Sequence, residues 1–351
     1  MTRNIIALII ALSVSFVATP LMIRLAKLVG AIDVPRDNRR VHKIPTPRLG
    51  GLAIFLGFMA GLLYLVEIDS RMFGVLIGAA IIVTLGFFDD INPLPAKFKF
   101  AVQVAAAAIA IHSGVLIPRV SNPLYFILGG SEFIHFGIWS YPLTLFWIVG
   151  VTNAINLVDG LDGLAAGISA ISATTLFVAA IITQQYVAAP MAAILAASTL
   201  GFLPYNFNPA KIFMGDTGAL FLGYMLSVIS VMGVLKGAAA LSILVPIFAI
   251  GLPIFDTLFA MVRRTLSGKS MIEADKGHLH HKLMDAGMSQ KQAVLTLYSI
   301  SAVLGFSAIA LVEVTLKVAF ILVFAVFLSA SMGARYLGQI EVDRGSHKAD
   351  L

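Results

Sequence analysis

Hydrophobic residues in this chain come in long unbroken runs, not in alternation with polar ones. Eleven runs stand out, at residues 4–23, 50–66, 72–88, 99–117, 141–155, 164–183, 188–205, 218–235, 238–262, 293–312 and 316–334. A helix needs about 20 apolar residues to cross the hydrocarbon core of a bilayer. A transmembrane barrel would show strands of about ten residues with alternating polarity. The pattern therefore predicts an all-α polytopic membrane protein of about eleven transmembrane helices. It forms one domain over residues 1–351, without internal repeats or long linkers. The exception to helix is 118–140, where Asn-Pro and Gly-Gly pairs among aromatic and β-branched neighbours predict a small hairpin.

Composition agrees. Of 351 residues, 59% are hydrophobic and 12% charged, against about 25% charged in a soluble domain. That excludes an ordinary cytosolic globule and a disordered chain. The chain has no cysteine, so disulfide frameworks and thiolate metal sites are excluded. The net charge of +6 is too small to point to nucleic acid, and its placement says more. Lys and Arg accumulate in cytoplasmic loops. The first loop carries Arg24, Lys27, Arg36, Arg39, Arg40, Lys43 and Arg48, which puts it inside, the N-terminus outside and the C-terminus in the cytoplasm. Of the 24 Lys and Arg residues, only Arg3, Arg71, Arg119, Lys236 and Lys317 then fall outside. One missed span would invert every later loop. The hairpin at 118–140 falls on the outer, periplasmic side. No clear small-x-small cleavage site follows the first run, which reads as a retained span.

On this topology the acids, amides and imidazoles gather on the cytoplasmic face. Asp89 and Asp90 end the third run and precede Lys97 and Lys99. Adjacent carboxylates repel unless a cation is near, which suits a general base or a metal ligand; two solvated loop acids are the alternative. Asn153, Asn156, Asp159 and Asp162 recur every third residue, a drifting stripe on one side of a helix end. Gly160 and Gly163 free backbone N–H groups beside them. Helix capping accounts for one of these acids but not for four polar groups in register. Asp216, between Gly215 and Thr217, reads as an N-cap or as a hard-metal ligand. His278, His280 and His281 follow the basic pair Arg263 and Arg264. Without cysteine, and with two of the histidines adjacent, contacts to phosphate or sugar fit better than zinc. Asp256 lies about two turns inside the ninth run, where a carboxylate needs a partner or a wet cleft. Clustered carboxylates beside Lys and Arg suit a divalent cation and a phosphorylated ligand.

With PTPRLGG (45–51), GFFDD (86–90), NAINLVDGLDG (153–163), IFMGDTG (212–218) and HLHHKL (278–283) in this order, the chain resembles the polyprenyl-phosphate N-acetylhexosamine-1-phosphate transferases. HLHH resembles the GlcNAc-1-phosphate branch; Leu279 interrupts the His triplet of the muramoyl-pentapeptide branch. The resemblance implies transfer of GlcNAc-1-phosphate from UDP-GlcNAc to undecaprenyl phosphate at the bacterial inner membrane, starting a lipid-linked envelope glycan such as lipopolysaccharide or teichoic acid. UDP-GalNAc or UDP-MurNAc-pentapeptide is the alternative donor, and transport of an anionic substrate is the reading from another class. The resemblance also implies Mg²⁺, with Mn²⁺ as substitute, held by Asp216 and Asn156. It implies that Asp89 and Asp90 act on the lipid phosphate and that Asp159 and Asp162 lie on the uridine side with Asn153. Arg264, with Arg263, would lie near the pyrophosphate, His278, His280 and His281 near the sugar, and Lys43 and Lys97 on phosphates, with Lys99 the rival of Lys97. The expected partners are the UDP-sugar, the polyprenyl phosphate and the bilayer, with no nucleic acid and with a homodimer open. The prenyl tail would need a lateral groove, expected beside the ninth run.

Overall fold

The computed structural model describes residues 2–35, 44–122, 125, 129–233, 244–268, 277–313 and 318. The helices are α1 (Thr2–Val29), α2 (Gly50–Leu65), α3 (Ser70–Ile91), α4 (Ala96–His112), α5 (Ser140–Val158), α6 (Leu164–Ile182), α7 (Ala188–Asn206), α8 (Gly215–Gly233), α9 (Leu244–Ala249), α10 (Gly251–Leu266), α11 (Leu279–Asp285) and α12 (Gln290–Glu313). Among the described residues, seven helical segments are long and apolar enough to cross a bilayer: α1, α3, α5 with the short turn before it, α6, α7, α8 and most of α12. Apolar α2 is shorter. In lipid each backbone N–H and C=O must be paired within the segment, so long apolar runs become helices. The protein is an all-α, multi-pass membrane protein.

One segment departs from the expectation. The run 238–262 is not one continuous helix where it is described: α9 ends at Ala249 and α10 begins at Gly251. Pro253 has no N–H to give the Ala249 carbonyl, and its ring crowds that carbonyl. Residues 234–243 and the run 316–334, apart from position 318, lie outside the described residues. The hairpin does form. Strands β3 (Arg119–Ser121) and β4 (Phe133–His135) pair antiparallel, with Val120 opposite Ile134. A second short pair, β1 (Ile32–Asp33) with β2 (Thr46–Pro47), sits at the start of α2.

Helix α8 is the axis of the bundle. Every residue from Gly215 to Gly233 except Asp216 is buried. Its neighbours come close through glycine. A Cβ on Gly51 of α2 would lie 2.1 Å from Gly218 N, and one on Gly86 of α3 would lie 2.4 Å from Thr217 Cα. Lipid tails are as apolar as leucine, so helices in a bilayer associate through such close packing. The loop before α8 is also clipped to the loop before α2. Phe213 N–H donates to Pro47 O (2.7 Å), and Gly50 and Gly51 N–H donate to Phe213 O and Met214 O (3.0 and 2.9 Å). These bonds hold the first turn of α8 where the last turn of α3 ends.

Candidate active site

Helix α3 stops because Asn92 precedes Pro93. The residue before a proline is pushed out of the α region, and Asn92 is extended at φ −135°, ψ 119°. The last turn therefore presents Asp89 and Asp90 at the helix end, both buried. The two carboxylates do different work. Asp90 Oδ1 accepts from Asp216 N–H (2.9 Å), and its Oδ2 accepts from Thr217 N–H (3.1 Å) and Thr217 Oγ1 (2.6 Å). It caps α8 from a different helix, with Arg48 Nε 3.5 Å away. Gly215 permits this: its φ is +70°, and a Cβ there would lie 2.4 Å from Asp90 Oδ2. Asp89 faces the other way. Its Oδ1 accepts from Leu94 N–H (2.8 Å) and its Oδ2 lies 3.1 Å from Lys99 Nζ.

Lys99, in the first turn of α4, joins the helix ends. Its ammonium also lies 2.8 Å from Asp216 Oδ2, so one cation bridges Asp89 and Asp216. Asn156, near the end of α5, donates through Nδ2 to Asp216 Oδ1 at 3.1 Å. Four helices thus contribute to one cluster. Asp159 ends α5 beside it and is half-buried. Burial pushes its carboxyl up to about 8, the charges of Asp216 and Asp90 push the same way, and Arg48 opposes them. Asp89, Asp159 and Asp216 therefore share one end of the bundle.

Other candidates take supporting positions. Asp162 Oδ2 accepts from Asn208 Nδ2 and Ala210 N–H, both at 3.0 Å. It organises the loop between α7 and α8, with Gln290 Oε1 accepting from Asn208 (2.8 Å). Asn153, one turn deeper than Asn156, donates to Gln103 Oε1 of α4 at 2.6 Å and ties α4 to α5. Lys97 is exposed, and Lys99 is the lysine that enters the cluster. Lys43 lies outside the described residues.

The histidines form a separate wall. His278 Nδ1 lies 2.8 Å from Asp256 Oδ2. The rings of His278 and His280 are stacked at 7° with centroids 5.9 Å apart, and His281 tilts against His280 at 4.2 Å. His280 is buried, which pulls its pKa down to about 4, helped by neighbouring His281; it is neutral at pH 7. A Cβ on Gly160 would lie 2.6 Å from His280 Nε2, so this wall abuts the turn that carries Asp159. Arg264 is buried in the last turn of α10, and Arg263 donates to Gly277 O at 2.7 Å. Three contributors were not singled out from sequence: Arg48, Thr217, and the partnership of Asp256 with His278. Their signals were the PTPRLGG and GDTG motifs and the depth of Asp256.

Among the described residues no three His, Cys, Asp or Glu converge as a ready metal cage. The cluster instead offers two carboxylates and an amide around the point where Lys99 places its charge. Such an oxygen-only set suits Mg²⁺, which is commonly held by one or two carboxylates while water and substrate phosphates complete the shell. Rotating the Asn156 amide would turn it from a donor to Asp216 into an oxygen ligand beside it.

The similarity of this chain to known proteins points the same way. Residues 72–234, which carry the cluster apart from Arg48, match the family described as glycosyl transferase family 4. A Bacillus subtilis protein named probable undecaprenyl-phosphate N-acetylglucosaminyl 1-phosphate transferase is 42% identical over 97% of this chain and 94% of its own. A decaprenyl-phosphate N-acetylglucosaminephosphotransferase of Mycobacterium leprae is 37% identical over 84% of this chain and 80% of its own. A phospho-N-acetylmuramoyl-pentapeptide-transferase of Rubrobacter xylanophilus is 32% identical over 76% and 82%. With paired acids, lysine and amide gathered at the ends of apolar helices, the chain belongs to glycosyl transferase family 4 as a polyprenyl-phosphate sugar-1-phosphate transferase.

Proposed function

We propose that this protein transfers GlcNAc-1-phosphate from UDP-GlcNAc to undecaprenyl phosphate. An oxygen of the lipid phosphate attacks the β-phosphorus of the nucleotide sugar. The bond from that phosphorus to the bridging oxygen breaks, UMP leaves with the oxygen, and undecaprenyl-pyrophosphoryl-GlcNAc stays in the membrane. The observation that carries this reading is Lys99, whose single ammonium bridges acids from two helices at 3.1 and 2.8 Å. The relative from Bacillus subtilis supports the choice of sugar and lipid.

Phosphoryl transfer asks a protein for positioning and charge neutralisation more than for covalent chemistry. Two anionic substrates must meet, and fixed cations offset their repulsion. Lys99 and Arg48 supply that charge beside the acids. Asp89, with one oxygen on Lys99, would take up the proton of the lipid phosphate. Asp90 holds the first turn of α8 so that Asp216 faces Asn156. A magnesium ion held by Asp216 with Asn156 would neutralise charge on the diphosphate. Asp159 and the His278–His281 wall border the nucleotide sugar. The bias of Lys and Arg among the loops supports a site on the cytoplasmic side of a bacterial inner membrane, in an eleven-span arrangement with the N-terminus outside.

The test is the purified full-length protein with radiolabelled UDP-GlcNAc, undecaprenyl phosphate and Mg²⁺. UMP and a labelled lipid should form together, and UDP-GalNAc and UDP-MurNAc-pentapeptide should give less product. Absence of labelled lipid with all three donors would refute the reading.

A further inference from the structure

Asp256 is 9% exposed at its side chain, and its two oxygens are both committed to the start of α11. Its Oδ2 lies 2.8 Å from His278 Nδ1, and its Oδ1 accepts from Leu279 N–H at 2.9 Å. Positions 256 and 263 are seven residues apart, two turns along α10, and so share one face of it. From that face Arg263 donates to Gly277 O at 2.7 Å. One helix thus grips three consecutive residues, 277 to 279, from one side.

We propose that Asp256 is a positioning residue: it holds the His278–His281 segment against the Asp159–Gly160 turn and so builds one wall of the seat for the water-soluble sugar nucleotide. The proposal rests on the transferase reading above. A carboxylate on one ring nitrogen of a histidine fixes both the tautomer and the ring plane. With Nδ1 held by Asp256, the other ring nitrogen of His278 is turned away from α10. The His278 ring stacks on His280 at 7°, so fixing one plane fixes the next. His280 in turn packs so close to Gly160 that a Cβ there would lie 2.6 Å from its Nε2. The order carried from Asp256 therefore ends at the residue beside Asp159. Helix α11 is seven residues long and carries His280, His281 and Lys282, polar groups suited to a phosphate- and sugar-bearing substrate, so we assign the wall to the sugar nucleotide.

The experiment uses the full-length protein in lipid nanodiscs, with UDP-GlcNAc and undecaprenyl phosphate varied separately. Asp256→Asn keeps the size of the side chain and an acceptor for Leu279 N–H but removes the anion from His278. It should raise KM for UDP-GlcNAc by about tenfold and leave KM for undecaprenyl phosphate within about twofold. Asp256→Glu should restore most of the loss. In a His278→Ala background, Asp256→Asn should add less than about twofold, because both changes cut one connection. Gly160→Ala attacks the same contact from the far side, leaves α10 intact and should give the same split in KM. A purely structural role predicts otherwise: either both KM values move together or the effects of Asp256→Asn and His278→Ala multiply, and either result overturns the proposal. If Asp256→Asn fails to fold, Gly160→Ala decides by the same criterion. A wild type that releases no UMP from UDP-GlcNAc, UDP-GalNAc or UDP-MurNAc-pentapeptide refutes the transferase reading itself. An active wild type whose Asp256→Asn variant keeps its KM for UDP-GlcNAc refutes this proposal alone.

Discussion

Asp89 and Asp90 are adjacent and of the same type, yet their surroundings predict opposite consequences for Asp→Asn. Asp90 accepts three hydrogen bonds at the start of α8, at 2.9, 3.1 and 2.6 Å. Its side chain is fully buried with Arg48 beside it. Asparagine keeps one oxygen and turns an NH₂ toward donors that need an acceptor. Hydrogen bonds to charged groups contribute about 1.5–3 kcal/mol each. Arg48 is 29% exposed and keeps its water, so loss of that ion pair adds at most about 1 kcal/mol. Relief of the carboxylate's own burial offsets part of that loss, leaving a net cost of about 3 kcal/mol. Asp89→Asn should be milder. One oxygen still accepts from Leu94 N–H, and Lys99 keeps Asp216 at 2.8 Å. The assay is thermal unfolding in detergent alongside initial transfer rates. Asp90→Asn should lower Tm by roughly 4 °C and lose transfer because Asp216 is displaced. Asp89→Asn should leave Tm within about 2 °C and lower kcat by about 100-fold or more. Equal Tm values for the two variants would refute the division of labour between the carboxylates.

Three further outcomes are expected. Lys99→Met keeps the length of the stem but removes the cation that bridges two acids; it should lower transfer by about 100-fold, while Lys97→Met stays within about twofold, and equal losses in the two kinetic assays would refute the assignment. Neutral His280 ties stability to pH: its pKa falls from 6.5 to about 4 on folding, so unfolding takes up a proton, the stabilisation is full above pH 6.5, and it is lost as pH falls toward 4. Between pH 7 and 5 the wild type should lose about 2 kcal/mol more than His280→Gln, read as a difference in Tm slopes, and parallel slopes would contradict it. Chelation should stop transfer and Mg²⁺ or Mn²⁺ restore it, with Asp216→Asn needing higher metal for half-activity; activity that persists in excess EDTA would remove the metal from the mechanism.

The helical, membrane-crossing character was legible in sequence because lipid allows few structures for an apolar run. The gathering of acids was legible because each cluster borders the end of a run. Details that depend on angle around a helix were not legible. Lys97 and Lys99 are two residues apart, about 200° around α4, so one is exposed and the other bridges Asp89 and Asp216. Composition treats them alike. The break at Ile250 had a local signal, Pro253, but hydropathy averages across it. The roles of Asp89 and Asp90 depend on residues more than a hundred positions away: |i−j| is 117 from Lys99 to Asp216 and 126 from Asp90 to Asp216. No local pattern carries that distance.

The same separation explains why the site needs the fold it has. A helix start leaves its first N–H groups without partners. Ordinarily a side chain at the helix start supplies the acceptor. At the start of α8 stand Met214 and Gly215, and neither side chain carries an oxygen. Asp90 of α3 supplies the acceptor instead. A cap borrowed from another helix couples two ends that would otherwise drift independently. Glycines 51, 86 and 215 make the approach close enough for that coupling. Asp216, immediately inside the capped turn, is then fixed relative to Asp89 through the last turn of α3, and Lys99 and Asn156 close on it from α4 and α5. Gly86→Leu should therefore separate α3 from α8 and silence transfer without touching any polar group. Initial rates measured on folded, detergent-solubilised variant decide it: wild-type transfer from Gly86→Leu would show that the close approach of α3 to α8 is not what sets the distance from Asp89 to Asp216.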